Sequence, residues 1–150
     1  CFIRPAEIRL LKVEDIDIAD MYIRVPASIS KNKKTQVVSI PQSFVKDVIA
    51  FDITRLRQDY YLINKSDEPL QHQSLSKQHK TILKRLGFSD RYSLYSWKHT
   101  GAYMAVTRGK IGLKDLQMQM RHHSLDQLNE YLREMGVLQS EDIKKMFPAL

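Results

Sequence analysis

Residues 120–135 read Met-Arg-His-His-Ser-Leu-Asp-Gln-Leu-Asn-Glu-Tyr-Leu-Arg-Glu-Met. The segment predicts a helix over Leu125 to Met135, set off by a His122-His123-Ser124 corner from an earlier helix over Leu113 to Met120. Tyr131 lies on the later helix, nine residues after His122. A free phenol ionises near pH 10, so forming its anion at pH 7 costs roughly 4 kcal/mol. Cations and imidazoles gathered around such a group are what would let it attack a phosphodiester. The alternative is an aromatic that only packs its helix, which is the reading for Tyr103. Met104, Met118 and Met120 read as core gap-fillers.

Toward the N-terminus, Tyr95-Ser96-Trp97-Lys98-His99-Thr100 falls on a predicted helix over Leu94 to Thr107, with Trp97, Ala102, Ala105 and Val106 as its buried residues. Before it, Ser74 or Ser76 caps a helix that stops at Leu86-Gly87. Pro41 with Gln42-Ser43 starts another, whose apolar residues include Phe44, Val45 and Phe51. Extended segments are expected over Met21 to Val25, Ala27 to Lys31 and Thr35 to Ile40, with Asn32-Lys33-Lys34 as a tight basic turn. Tyr60 to Asn64 reads as a short edge strand. At the start, Pro5 suits the first turn of a short helix with Ile8, Leu10 and Leu11 on its apolar face, and Glu14-Asp15 and Asp17 break that pattern. Ser140-Glu141-Asp142 caps a last helix, Ile143 to Phe147, which Pro148 ends. The layout is α+β: mostly helical, with a small three-stranded antiparallel sheet.

The length of 150 residues is that of one domain with a proper core. A net charge of +7 concentrates polyanions, and nucleic acid is the commonest of these, although a merely soluble basic protein would carry the same charge. Cys1 is the only cysteine, which leaves neither a disulfide framework nor a thiolate zinc site and fits a reducing cytoplasm. No apolar run approaches the roughly 20 residues of a membrane span. The histidines lack the His-Glu-x-x-His arrangement, carboxylates are not paired at metal spacing, and no phosphate loop is present. The chain opens without methionine, inside a structural pattern, and is expected to be a fragment of a longer protein.

Two groups near the start suit phosphate chemistry. A guanidinium at a helix start, as at Arg4, forks two bonds to a phosphate and neutralises charge that grows during attack. Glu7, one turn on, is placed to orient it, and an ordinary helix salt bridge would look the same in sequence. Lys31, Lys33 and Lys34 crowd one hairpin, from which an ammonium reaches outward with three donors. One of them acting as general acid and all of them touching phosphate or water are both open from the residues alone.

These pieces, in this order, resemble the catalytic domain of the tyrosine recombinases, the phage-integrase class, and look most like integrases of mobile bacterial elements. The resemblance runs from Arg4 to the helix beyond Tyr131. It rests on an arginine helix with a glutamate three residues on, a sheet with a lysine turn, a motif ending in basic-His-Thr, a basic-His-Ser corner, and a tyrosine nine residues later.

The resemblance implies that Tyr131 is the nucleophile, Arg4 the first phosphate-gripping cation and Glu7 its companion. Lys31 matches the lysine thought to protonate the leaving 5′-oxygen, and His122 a donor to a nonbridging phosphate oxygen. Tyr95 and Lys98 stand where the majority motif, His-x-x-Arg-His, has its first histidine and its arginine. Lysine keeps the charge but loses the planar two-point grip, and tyrosine gives up a base that titrates near neutrality. His99 matches a supporting histidine. Arg121 stands where the family usually has glycine. Lys33, Lys34 and Arg121 are expected to touch the DNA.

The implied activity is site-specific recombination of double-stranded DNA through a covalent 3′-phosphotyrosyl link, with neither cofactor nor metal. The expected assembly is a homo-tetramer on DNA, joined through Val137 to Leu150, with no membrane. The chain would be a catalytic domain over 1–150 that lacks the N-terminal DNA-clamping domain and the start of the catalytic domain. Tyr95 and Lys98 keep a second reading open, a catalytically impaired relative that only binds DNA. An unrelated basic domain holding a protein partner is the third.

Overall fold

The computed structural model describes residues 1–109 and 111–136. The helix expected over Ile143 to Phe147 and the assembly segment Val137 to Leu150 lie outside the described residues. The chain divides into two compact units, with the boundary between Tyr95 and Ser96.

The first unit begins with α1, Pro5–Ile8. Pro5 occupies the first helical position, where a missing N–H leaves nothing unsatisfied. Glu7 reaches back to accept a hydrogen bond from the Arg4 backbone amide at 3.0 Å, which closes the helix start. The chain then turns through Val13–Asp15, where the Asp15 carboxylate accepts from the Lys12 amide at 3.0 Å. β1 (Ile16–Asp17), β2 (Tyr22–Val25) and β3 (Gln36–Ser39) form an antiparallel sheet in that order. Its register pairs Ile16 with Ile23 and Ile23 with Val38. The pleat sends Ile23, Val25 and Val38 inward and leaves Arg24 and Val37 exposed. Leu11, Ile23, Val38 and Ile40 make the core beneath α1, with Ile3, Ile16 and Leu62 packed against it. Each such side chain contributes about 1.5–3 kcal/mol by leaving water.

Two strand expectations are corrected. Ala27 to Lys31 is not extended, because the Pro26 carbonyl accepts from the amides of both Ile29 and Ser30, at 3.1 and 3.0 Å, and folds the segment into a turn. The first strand is instead Ile16–Asp17, where acidic residues suggested only a break. The Asp17 carboxylate accepts from the Asp20 amide at 2.8 Å and makes the turn into β2. Around Tyr60 to Asn64 the pairing reduces to isolated bridges of Tyr61 with Lys12 and Ser66.

A short 3₁₀ turn at Gln42–Phe44 leads into α2, Val45–Ala50, and α3 spans Ser74–Arg85. Gly87, at φ +76°, takes the left-handed turn that stops α3, and the Phe88 amide bonds back to the Leu83 carbonyl at 2.9 Å. α4 runs Leu94–Thr107, α5 Leu113–Met120 and α6 Leu125–Glu134. In the second unit Ala102, Leu116, Met120, Leu128 and Leu132 are fully buried. Trp97, expected inside, is 63% exposed. It sits five residues before Ala102, about 140° around the helix at 3.6 residues per turn, and so faces away from the buried stripe. No helix among the described residues is long and apolar enough to cross a membrane.

Candidate active site

In the first unit the structure brings Arg4, Glu7 and Lys31 together. Glu7 is 1% exposed, yet it is a carboxylate, so its burial requires partners. The Arg4 guanidinium meets its Oε1 at 3.0 Å, the Arg4 amide donates to Oε2 at 3.0 Å, and the Lys31 backbone amide donates to Oε1 at 3.1 Å. One buried anion therefore holds a cation on α1 and the first residue of the lysine turn. Lys31, Lys33 and Lys34 are all exposed on that turn. Lys33 takes the left-handed conformation, φ 51°, and its amide bonds to the Ser30 carbonyl at 3.0 Å.

Tyr95 is half-exposed and lines a cavity of about 200 Å³ with Pro5, Ala6, Arg9 and His72. Arg9 is fixed there by a 2.6 Å bond from its guanidinium to the Leu70 carbonyl. Along α4, Tyr95 and Lys98 share the face of buried Ala102. Lys98 is half-buried, so the stripe that carries the motif's cation is the one that turns inward.

In the second unit the structure brings His99, His122 and Tyr131 together. The His99 ring stacks on Tyr131, with centroids 5.2 Å apart and planes at 17°. His122 meets the same phenol edge-on, at 5.6 Å and 87°. The Tyr131 hydroxyl is buried and has no hydrogen-bond partner among the described residues. Burial pushes its pKa up to about 12. Burial thus favours the neutral phenol. An unsatisfied buried hydroxyl costs about 1–3 kcal/mol, which is a reason to ask what it is kept for.

The corner that presents His122 is a Schellman turn. The Arg121 amide bonds to the Met118 carbonyl at 3.0 Å and the His122 amide to the Gln117 carbonyl at 3.1 Å. Arg121 itself takes φ 56°, ψ 43°, the left-handed conformation for which glycine is the usual choice. Arg121, expected at the DNA, is 3% exposed. Beyond the corner, Ser124 Oγ accepts from the Gln127 amide at 3.2 Å, and Gln127 Oε1 accepts from the His123 amide at 3.0 Å. This reciprocal cap starts α6 and sets the rotation that turns Tyr131 toward His122.

Sequence reasoning placed His99 in support and did not foresee its stack on Tyr131. The two residues are 32 positions apart, and no local pattern connects them. It also missed Gln117, whose polar side chain is 8% exposed on a helix that otherwise buries Leu116 and Met120. A glutamine one helical turn before a left-handed stop was the available signal.

The three-stranded antiparallel sheet and the helices have the layout of a tyrosine recombinase core. Among solved structures, that of XerA recombinase superposes with a TM-score of 0.69 at 19% identity, over 96% of this chain and 53% of its own. The chain belongs to the phage integrase family, whose model matches residues 1–135. It spans about half the length of the XerA chain. No curated protein matches it.

Proposed function

We propose that the chain is the catalytic part of a site-specific DNA recombinase that works through a covalent 3′-phosphotyrosyl intermediate. Family and fold support site-specific recombination. The observation that carries the mechanism is the Tyr131 hydroxyl, buried beside His99 and His122 with no hydrogen-bond partner among the described residues. In this reading the Tyr131 hydroxyl passes its proton to water as its oxygen attacks the scissile phosphorus, and takes one back when the link is reversed. The bond from phosphorus to the 5′-oxygen breaks, and that oxygen takes a proton from the Lys31 ammonium. The 5′-hydroxyl of a partner strand then attacks the phosphotyrosyl link and restores Tyr131. Bond energy is conserved throughout, so no high-energy cofactor is needed.

Arg4, Lys98 and His122 supply charge and hydrogen bonds to the phosphate oxygens as negative charge builds. Glu7 orients Arg4, and Tyr95 adds a hydroxyl donor where the majority motif has an imidazole. Lys33 and Lys34 hold the flanking backbone of double-stranded DNA. Assembly of four copies on two duplexes belongs to the same proposal.

The test is a pool of nicked suicide duplexes of randomised sequence, in which the cleaved strand loses its 5′-hydroxyl by diffusion and the adduct accumulates. Denaturing gels should show a protein–DNA band that Tyr131→Phe abolishes, and sequencing the attached strand gives the site. Salt-sensitive DNA binding with no adduct from the natural protein would replace this reading with a binding module.

A further inference from the structure

We propose that Gln117 is a positioning residue for His122, an inference that rests on the phosphate-binding role given to His122 above. The residue touches the corner at both ends. Its backbone carbonyl accepts from the His122 amide at 3.1 Å, and its side-chain Nε2 donates to the His122 carbonyl at 3.1 Å. Its Oε1 accepts from the Lys114 ammonium at 3.3 Å. These partners fix the orientation of the amide, because an ammonium only donates and a carbonyl only accepts. The side chain is 8% exposed, so a bond lost there is not replaced by water.

The corner needs such a clamp. Arg121 holds the left-handed conformation without being glycine, which costs roughly 1–2 kcal/mol and favours relaxation of the turn. Relaxation there would swing the next residue, His122, whose ring stands edge-on to Tyr131. Gln117 holds both the amide and the carbonyl of His122, so the peptide plane on either side of the imidazole cannot rotate freely. A misplacement of about 1 Å at a reacting centre costs on the order of a hundredfold in rate. Gln117 never meets the phosphate itself and acts only through His122.

The discriminating variants are Gln117→Met, which keeps the buried volume without a donor, and Gln117→Glu, which keeps the shape and the Lys114 contact but presents an anion to the His122 carbonyl. Both are compared with the natural chain in covalent-adduct formation, DNA affinity and thermal unfolding. We expect adduct formation to slow about 10–100-fold with DNA affinity unchanged. In a His122→Ala background the same changes should have no further effect, because the residue they act through is gone. A second measurement does not need activity: the His122 imidazole NMR signals should broaden or multiply in Gln117→Met. Normal adduct rates, or an equal loss with and without His122, overturn the assignment, as do unchanged imidazole signals. If the natural chain forms no adduct, the functional reading falls while the imidazole signals still decide the clamp.

Discussion

The backbone amide of Lys31 donates to Glu7 at 3.1 Å, on the same carboxylate oxygen that the Arg4 guanidinium meets at 3.0 Å. A residue 24 positions further along the chain than Glu7 is thereby tied to the same buried anion as Arg4. Glu7 does more than balance the charge of Arg4: it sets where the lysine turn begins relative to α1.

Replacing Glu7 with Ala leaves the Arg4 amide, the Arg4 guanidinium and the Lys31 amide without their shared acceptor. Breaking a buried ion pair by removing one partner costs about 3–5 kcal/mol. Glu7→Gln is milder, about 1–3 kcal/mol, because its single oxygen cannot serve both ends and its NH₂ faces a donor. Urea denaturation should rank natural above Gln above Ala. An Ala variant as stable as the natural chain would show that the three bonds do not hold the unit together.

At Tyr131 stability and chemistry should move in opposite directions. Its hydroxyl is buried with no hydrogen-bond partner among the described residues, so Tyr131→Phe removes a polar atom that gains nothing from the fold. The expected result is equal or greater stability, by up to about 1 kcal/mol, together with complete loss of the covalent adduct. A clearly destabilised Phe variant would mean that the hydroxyl is bonded in solution.

The same burial gives a pH signature. The folded pKa is pushed up to about 12, against 10.0 for the free side chain. A raised pKa means that the folded state holds the proton more tightly than the unfolded chain does. Its contribution to stability is complete below pH 10 and is lost as the pH climbs from about 10 to about 12. Denaturation across that range should show a steeper alkaline decline in the natural chain than in Tyr131→Phe. Parallel curves would place the phenol in water.

The helices were legible because each carries its own stop. Leu94–Thr107 and Leu113–Met120 fall where the sequence sets them, and Ser74–Arg85 ends just before Leu86-Gly87. The sheet was less legible, since its strands are two to four residues long and side-chain caps such as Asp17 decide their ends. Within the candidate site, spacing along the chain marked Arg4, Glu7, His122 and Tyr131. It could not show that the Lys31 amide meets Glu7, or that His99 stacks on Tyr131, because both contacts join segments with no shared periodicity. Trp97 misled for a simple reason: its size suggested burial, while the helical angle from Ala102 turns it outward.

Lys98 offers a gain-of-function test. It lies on the inward stripe of α4, where the majority motif of the family carries arginine. A guanidinium forks two parallel bonds to phosphate where an ammonium acts as a point charge. Lys98→Arg should therefore raise the rate of adduct formation about tenfold, equivalent to roughly 1.4 kcal/mol of transition-state stabilisation. A slower Arg variant would mean that the site is shaped around lysine.

The lysine turn separates two jobs that share one hairpin. Lys33 and Lys34 are exposed and lie beyond the Glu7-anchored residue, and the proposed function gives them the phosphate backbone and gives Lys31 the reacting bond. Each phosphate contact releases counterions, so removing one should lower the slope of log affinity against log salt by about one. The paired substitution Lys33→Ala with Lys34→Ala should therefore flatten the slope by about two and weaken binding to all sequences alike. Lys31→Ala should leave that slope nearly unchanged and slow the cleavage step, with the loss recovered on a substrate whose leaving 5′-oxygen is replaced by a better leaving group that needs no proton. If Lys31→Ala instead weakens binding and is not rescued by that substrate, the general acid must be sought elsewhere on the turn.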